Sequence, residues 1–235
     1  MSETGNSSNA QTVQDDRKSW LLLAEAIIIF VIFWADMHHW VRYLLISKTP
    51  WLLLLGWISL RLRGLRWSSV GLRAPQDWRR AILFSVTAGL AMEALELFCT
   101  QPLLVRFLHE PPDLSELASL RWNWPALALV LLLTWTLAAF GEEMVWRGYI
   151  LNRMTEFINR FRGSWLLSAL LCSALFGLAH FSQGRTGVIE NFIDGALLAA
   201  LYFASGRNLW VPIIAHGVTD SADCLLIFLG HYPTM

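Results

Sequence analysis

The sequence predicts an all-α protein, a polytopic transmembrane helix bundle of about seven spans. Its composition is the first reason: 55% of the 235 residues are hydrophobic and only 15% are charged, against roughly 25% charged residues in soluble domains. The second reason is that the apolar residues form runs long enough to cross a bilayer. Several of the 13 Trp residues flank these runs, as expected for an interfacial aromatic belt.

Charge and cysteine content exclude two other classes of protein. Lys and Arg total 18, Asp and Glu also total 18, and no basic block suggests a nucleic-acid partner. The three cysteines, Cys99, Cys172 and Cys224, are scattered without a CxxC spacing, which argues against a disulfide framework or a cysteine zinc site. The lipid bilayer is therefore the first partner that the composition predicts.

The N-terminal half is expected to hold a polar lead and three spans. Residues 1–19 are polar without hydrophobic periodicity, which predicts a disordered cytosolic N-terminus. Residues 20–123 are expected to hold the N-terminal spans and a basic interfacial segment. The spans cover about 20–34, 43–60 and 81–98, the interfacial segment covers 61–80, and a solvated loop rich in Pro and acidic residues covers 99–123.

The C-terminal half is expected to be a helical core, residues 124–229, followed by a short tail, residues 230–235. Four runs predict its helices, at about 124–161, 164–181, 188–205 and 209–229. Thirteen of the 18 Lys and Arg residues then fall on the side of the N-terminus. The positive-inside rule therefore predicts a multi-pass protein of the inner or plasma membrane with a cytosolic N-terminus.

Ionisable residues cluster in three short runs inside this apolar core. A charged side chain in the hydrocarbon region costs about 2.5–3.5 kcal/mol or more, so such residues usually serve a function. The runs are Glu142-Glu143-Met144-Val145-Trp146-Arg147, Phe176-Gly177-Leu178-Ala179-His180 and His216-Gly217-Val218-Thr219-Asp220. They supply carboxylates, imidazoles and a guanidinium, a set that can activate water for hydrolysis.

Helical spacing predicts that the three runs meet. Glu142 and His180 lie symmetrically about position 161, in the polar turn between two antiparallel helices, so equal rise brings them to one height. His216 and Asp220 stand at i and i+4 on one helical face, and so do Glu143 and Arg147. The second pair is expected to hold Glu143 ionised, which leaves Glu142 to act as a base.

The three runs resemble the motifs of the CPBP intramembrane proteases, also called the Abi or type II CAAX prenyl endopeptidase family. That family carries Glu-Glu-x-x-x-Arg, Phe-x-x-x-His and His-x-x-x-Asn or Asp, each on a membrane helix. The resemblance covers roughly residues 124–229. It implies an intramembrane endopeptidase that cleaves a membrane-associated protein or peptide, although a prenylated substrate is not assumed.

The resemblance also implies roles for individual residues. Glu142 with His180 would polarise the attacking water, while His216 and Asp220 would bind a second water or stabilise the oxyanion. Asp220 departs from the asparagine of the prenyl-protease members, and an aspartate donates a hydrogen bond only when protonated. Glu142, His180 and His216 are also the candidate ligands of a Zn²⁺ ion. A glutamate mechanism without metal is favoured because no HExxH helix is present.

Two other functions stay open: a proton-coupled transporter, and a non-catalytic membrane immunity or scaffold protein. No internal repeat supports a transporter, and a scaffold has no need of the full Glu and His set. Further carboxylates within the expected spans either line a proton or substrate path or bond to a neighbouring helix. They include Glu93, Glu96, Asp194 and Asp223.

Overall fold

The computed structural model describes residues 4–38, 40, 47–158 and 162–233, and for residues 4–19 it describes the backbone alone. Across these residues every regular element is helical. Five helices are long and apolar enough to cross a membrane, and two shorter apolar helices accompany them. The predicted all-α membrane bundle is confirmed. The chain divides into two compact units, residues 1–63 and 64–235.

The first unit holds two packed helices, α1 (Thr4–Met37) and α2 (Thr49–Leu62). Glu25 of α1 forms an ion pair with Arg63 at the end of α2, and both side chains are buried. Arg63 also donates to the hydroxyl of Ser59, at 2.9 Å. This pairing neutralises a carboxylate that would otherwise be buried alone inside an apolar pair of helices.

One boundary of the first unit differs from the sequence prediction, and another lies outside the described residues. α1 already begins at Thr4, so helix occupies most of the segment that was expected to be disordered. Once the apolar part of α1 is helical, each added polar residue propagates the helix without a new nucleation cost. The predicted start of the second span, near residue 43, lies outside the described residues, and the described helix begins at Thr49.

The second unit holds five helices. They are α3 (Trp78–Leu108), α4 (Trp124–Ile158), α5 (Ser164–Leu178), α6 (Gly184–Ala204) and α7 (Trp210–Leu229). α3 packs along α7, α5 packs along α6, and α7 also contacts α4 and α6. α3 and α7 approach closely at Gly89, whose carbonyl accepts a hydrogen bond from the Thr219 hydroxyl at 3.1 Å. The close approach places α7 at the centre of the unit.

The prediction of a loop between residues 99 and 123 is wrong for the first part of that segment. α3 continues through a π-helical stretch, Glu96–Thr100, and a last α-helical part, Gln101–Leu108. Pro102, which has no N–H to donate, follows just after the π-helical stretch, where the regular α-helical hydrogen-bond pattern is already interrupted. The rest of the loop is not fully solvated either, since Leu120 is buried against α7.

The predicted interfacial segment is in part a strap on the turn between α6 and α7. Residues 67–70 form a 3₁₀ turn, and Gly71 follows with a φ of 112°, a conformation that favours glycine. The Gly71 carbonyl accepts from the Leu209 N–H at 3.0 Å, and the Val70 carbonyl accepts from the Tyr202 hydroxyl at 2.9 Å. Residues 70–73, the strap, thus fix the start of α7.

Candidate active site

α4 carries the first predicted motif on an unusual backbone. Two π-helical stretches, Thr134–Glu142 and Met144–Ile150, flank Glu143. π-helical turns occur mostly as short insertions and frequently lie at functional sites. The wider turns still bring Glu143 and Arg147 together, as the spacing of four residues predicted, with Oε1 and Nη1 2.7 Å apart.

Glu143 is the centre of a buried polar network. Its side chain is fully buried, and the Arg147 side chain is only 2% exposed. A second nitrogen of Arg147 donates to the Gly195 carbonyl on α6 at 2.9 Å, and its guanidinium lies 4.9 Å from the centroid of the Phe176 ring. The network also reaches α7, because His216 Nδ1 lies 3.0 Å from Glu143 Oε1. Three helices are therefore tied together at one carboxylate.

Carboxylates flank His216 on both sides. Its Nδ1 faces Glu143, while its Nε2 lies 3.4 Å from Oδ2 of Asp220, one turn further along α7. The second contact is longer than a typical N–H···O hydrogen bond. A doubly protonated ring can donate to Glu143 and still direct its second N–H either to Asp220 or to a ligand.

Glu142 differs sharply from its neighbour. Its side chain lines a cavity of about 200 Å³ and is bonded by none of the described residues. Glu143 instead points into the network, because successive side chains on a helix leave the axis in different directions. Of the two adjacent carboxylates, one is held by partners and the other faces the cavity.

His180 lies at a turn rather than within a helix. α5 ends at Leu178, and His180 directly precedes the short 3₁₀ turn Phe181–Gln183, so the expectation that each motif lies on a membrane helix is wrong here. His180 Nδ1 lies 2.8 Å from the Phe176 carbonyl. A carbonyl only accepts, so Nδ1 is the donor and Nε2 is the acceptor in a neutral ring.

The cavity brings together all four residues that were predicted to be catalytic: Glu142, His180, His216 and Asp220. Four further carboxylates line it, and we call them the acidic wall: Glu96, Glu190, Asp194 and Asp223. The wall draws on three helices, since Glu96 lies on α3, Glu190 and Asp194 lie on α6, and Asp223 lies on α7. Among the described lining residues there is neither Lys nor Arg.

The cavity mouth includes residues that the sequence did not single out. Pro112, Leu114 and Leu117 of the loop after α3 contribute to the lining, as does Gln183 beside His180. Glu110 clamps this loop to α6, since its carboxylate accepts from the Arg185 side chain at 2.9 and 3.0 Å. The sequence analysis also missed Glu190. It stands four residues before Asp194, the same spacing that placed the residues of the other pairs on one helical face.

The geometry does not fit the Zn²⁺ site that Glu142, His180 and His216 were considered to form. Among the described residues no group of three or more His, Cys, Asp or Glu side chains is placed to hold a metal ion. His216 already directs both ring nitrogens at carboxylates. No catalytic step is therefore derived through a metal.

Comparison with known families gives one match. Residues 123–222 match the model of the family described as type II CAAX prenyl endopeptidase Rce1-like. Neither a curated protein nor a solved structure matches the chain. The matched range contains Glu142, His180, His216 and Asp220. Residues 123–222 are therefore similar to the Rce1-like, type II CAAX prenyl endopeptidase family, as the motifs indicated.

Proposed function

We propose that this protein is an intramembrane endopeptidase in which Glu142 is the general base. One observation carries the proposal: Glu142, His180 and His216 line one cavity, and no described residue bonds to the Glu142 carboxylate. A general base needs such access to water, and a carboxylate committed to an arginine, as Glu143 is, lacks it.

In the proposed reaction a water molecule between Glu142 and His180 attacks the carbonyl carbon of the scissile peptide bond. Glu142 accepts the proton from that water, and Nε2 of a neutral His180 orients the water by accepting its second O–H. The carbonyl oxygen becomes an oxyanion. Glu142 then returns the proton to the leaving nitrogen as the C–N bond breaks, which gives a new carboxyl terminus and a new amine.

His216 is the proposed donor to the oxyanion. Its Nδ1 side is fixed by Glu143, and its Nε2–H can move from the long contact with Asp220 to the developing negative charge. Asp220 faces this N–H in the resting site, with its Oδ2 3.4 Å from Nε2. Under this proposal an aspartate at position 220 acts on the oxyanion through His216 and needs no hydrogen to donate.

Membrane-associated proteins or peptides are the proposed substrates, since the cavity lies among helices apolar enough to cross a bilayer. We propose a multi-pass protein of the inner or plasma membrane with a cytosolic N-terminus, on the distribution of Lys and Arg. A proton-coupled transporter is the second candidate, favoured by the acidic wall. A non-catalytic scaffold is the third.

The test compares cells that express the wild-type protein, Glu142→Gln or Glu156→Gln. Glu156 is the matched control because it lies on α4 outside the cavity, ion-paired with Arg153. Loss of a general base typically lowers a rate by about 10²–10⁴-fold, so Glu142→Gln should abolish the new peptide termini that mass spectrometry detects in membrane and secreted fractions. If cells with Glu142→Gln produce the same new peptide termini as wild-type cells, at equal levels of the protein, the proposal is contradicted.

A further inference from the structure

The acidic wall has more negative groups than the chemistry above requires. With Glu142 and Asp220, six carboxylates line one cavity, and only two histidines accompany them among the described residues. In a medium of low dielectric constant, carboxylates at this density must bind protons or a cation. The proposed reaction uses Glu142 and Asp220 alone and leaves the wall without a role.

Two members of the wall each have a buried carboxylate oxygen without a hydrogen-bond partner among the described residues. Glu190 is only 5% exposed, and its Oε1 has no hydrogen-bond partner among the described residues. Asp223 Oδ1, on the neighbouring helix, is also buried without one. Buried carboxylate oxygens are costly when they are not hydrogen bonded. Two such atoms beside one cavity therefore point to an occupant that donates hydrogen bonds and carries positive charge.

An organic cation suits the cavity better than a metal ion. No group of three or more His, Cys, Asp or Glu among the described residues is placed to hold a metal. The cavity volume of about 200 Å³ is below the roughly 300–1,000 Å³ of sites for whole drug-sized ligands, so it fits a part of a larger substrate. Leu117 and Val130 add apolar lining that the aliphatic stem of a long basic side chain can contact.

We propose that the acidic wall is a subsite for a Lys or Arg side chain of the substrate, close to the scissile bond. This inference rests on the proposed peptidase function, because the wall and Glu142 share one cavity. An ammonium or guanidinium group would donate to Glu190 and Asp223. The substrate class is then a membrane-associated peptide segment with a basic residue near the cleavage point.

Binding is measured without cleavage, using full-length protein carrying Glu142→Gln in detergent. The probes are three fluorescent model peptides with one apolar segment that differ at a single central residue: Lys, Gln or Glu. The Lys peptide should bind at least about tenfold more tightly than the Gln peptide, and the Glu peptide should bind weakest. Adding Glu190→Gln should remove most of the preference for Lys.

Glu156→Gln is the control for Glu190→Gln. Glu156 lies on α4 outside the cavity, where it forms an ion pair with Arg153. The Glu156→Gln variant should leave the preference for Lys unchanged. Both changes keep the side-chain shape, and thermal unfolding should confirm that both variants fold.

Equal binding of the Lys and Gln peptides, including no binding of either, overturns the inference. A preference for Lys that persists in Glu190→Gln does the same. The inference is also overturned if millimolar Mg²⁺ displaces the Lys peptide while a soluble peptide that contains Lys does not. That result would assign the wall to a metal ion. If the wild-type protein cleaves peptides without a preference for Lys, the subsite is rejected and the proposed peptidase function stands. If the protein prefers Lys peptides but cleaves none, the subsite stands and the peptidase function is rejected.

Discussion

Two sets of buried carboxylates in residues 64–235 differ in whether a cation accompanies them. Glu143 Oε1 accepts from Arg147 and lies 3.0 Å from His216 Nδ1, although Oε2 of the same carboxylate is buried without a hydrogen-bond partner. Glu190 of the acidic wall is almost as buried, and it forms no ion pair with a described residue. The paired network of Glu143, Arg147 and His216 fixes the positions of its helices, whereas an unpaired buried carboxylate can still bind a ligand or a proton. Burial alone therefore does not separate structural carboxylates from functional ones.

Breaking the paired network of Glu143, Arg147 and His216 should have the largest effect on stability. Arg147→Met would leave the carboxylate of Glu143 buried without its cation, which typically costs about 3–5 kcal/mol. Glu143→Gln would leave Arg147 unpaired and should also accumulate poorly while keeping residual activity. Thermal unfolding in detergent measures both. Arg153→Met, which removes a pair nearer the surface, should cost about 1 kcal/mol or less, and equal losses for Arg147 and Arg153 would refute the distinction.

The packing that holds α7 beside α4 gives the next largest effect. A Cβ at Gly217, next to His216, would lie 2.7 Å from the Trp135 ring, too close for any real contact. Gly217→Ala should therefore cost about 1–3 kcal/mol through overpacking, and it should lower activity by displacing His216. A Cβ at Gly148 would lie 3.1 Å from the tip of the Leu209 side chain and at ordinary contact distance, 3.6 and 3.7 Å, from Trp67 and Val70, so Gly148→Ala should cost less. Similar unfolding temperatures for the two variants would argue against this account.

Removing a buried carboxylate that forms no ion pair should have little or no cost. Glu93→Gln keeps the side-chain shape and breaks no ion pair among the described residues, so the unfolding temperature should stay the same or rise. The sharpest comparison is with Glu143→Gln, measured in the same detergent. If both variants lose stability equally, the two sets of carboxylates are not different in kind.

The smallest expected effect concerns the loop at the cavity mouth. Hydrogen bonds from the Arg185 side chain and backbone hold the pKa of the exposed Glu110 carboxyl below its ordinary value of 4.5. The clamp is therefore fully present above about pH 4.5 and is lost as the pH falls through the lowered pKa. The protection of the amides of residues 109–123 against hydrogen exchange, taken relative to the intrinsic exchange rate at each pH, should fall on acidification. Glu110→Gln should lower this protection at neutral pH and remove the part of its pH dependence that comes from the clamp.

A control for the clamp is Glu116→Gln, in the same loop. It should leave the exchange of residues 109–123 and its pH dependence unchanged. An identical profile for Glu110→Gln and the wild-type protein would mean that other contacts hold the loop. One such contact is the hydrogen bond from the Asp113 N–H to the Gln183 carbonyl, at 2.9 Å.

The sequence predicted the helices and the pairs within one helix better than contacts between distant segments. Long apolar runs and a spacing of four residues are local signals, so the seven helices and the Glu143–Arg147 pair could be anticipated. The strap and the bond between Glu143 and His216 join segments far apart in sequence, and hydropathy carries no information about them. Continuation of α3 past Cys99 was missed because Pro102 suggested a break.

The sequence predicted which four residues would lie together in the candidate site, but not their detailed geometry. Glu142, His180, His216 and Asp220 do line one cavity, while their catalytic roles remain predictions. The position of His180 beyond the end of α5 could not be foreseen, because helix ends depend on capping contacts. Glu190 could have been found from its spacing to Asp194, but a single buried carboxylate in an apolar run gave no sign of its partners.

The strap has a consequence for the order in which the protein is made. Asn208 donates to the Arg73 carbonyl across 135 positions of sequence, and the Thr219 hydroxyl reaches the Gly89 carbonyl across 130. Contacts of such long separation form late, because most of the chain must emerge before they close. α7 also carries His216 and Asp220, so a chain synthesised only as far as α6 lacks two of the four candidate groups. The cavity with its full set of candidate groups therefore forms only once α7 is inserted.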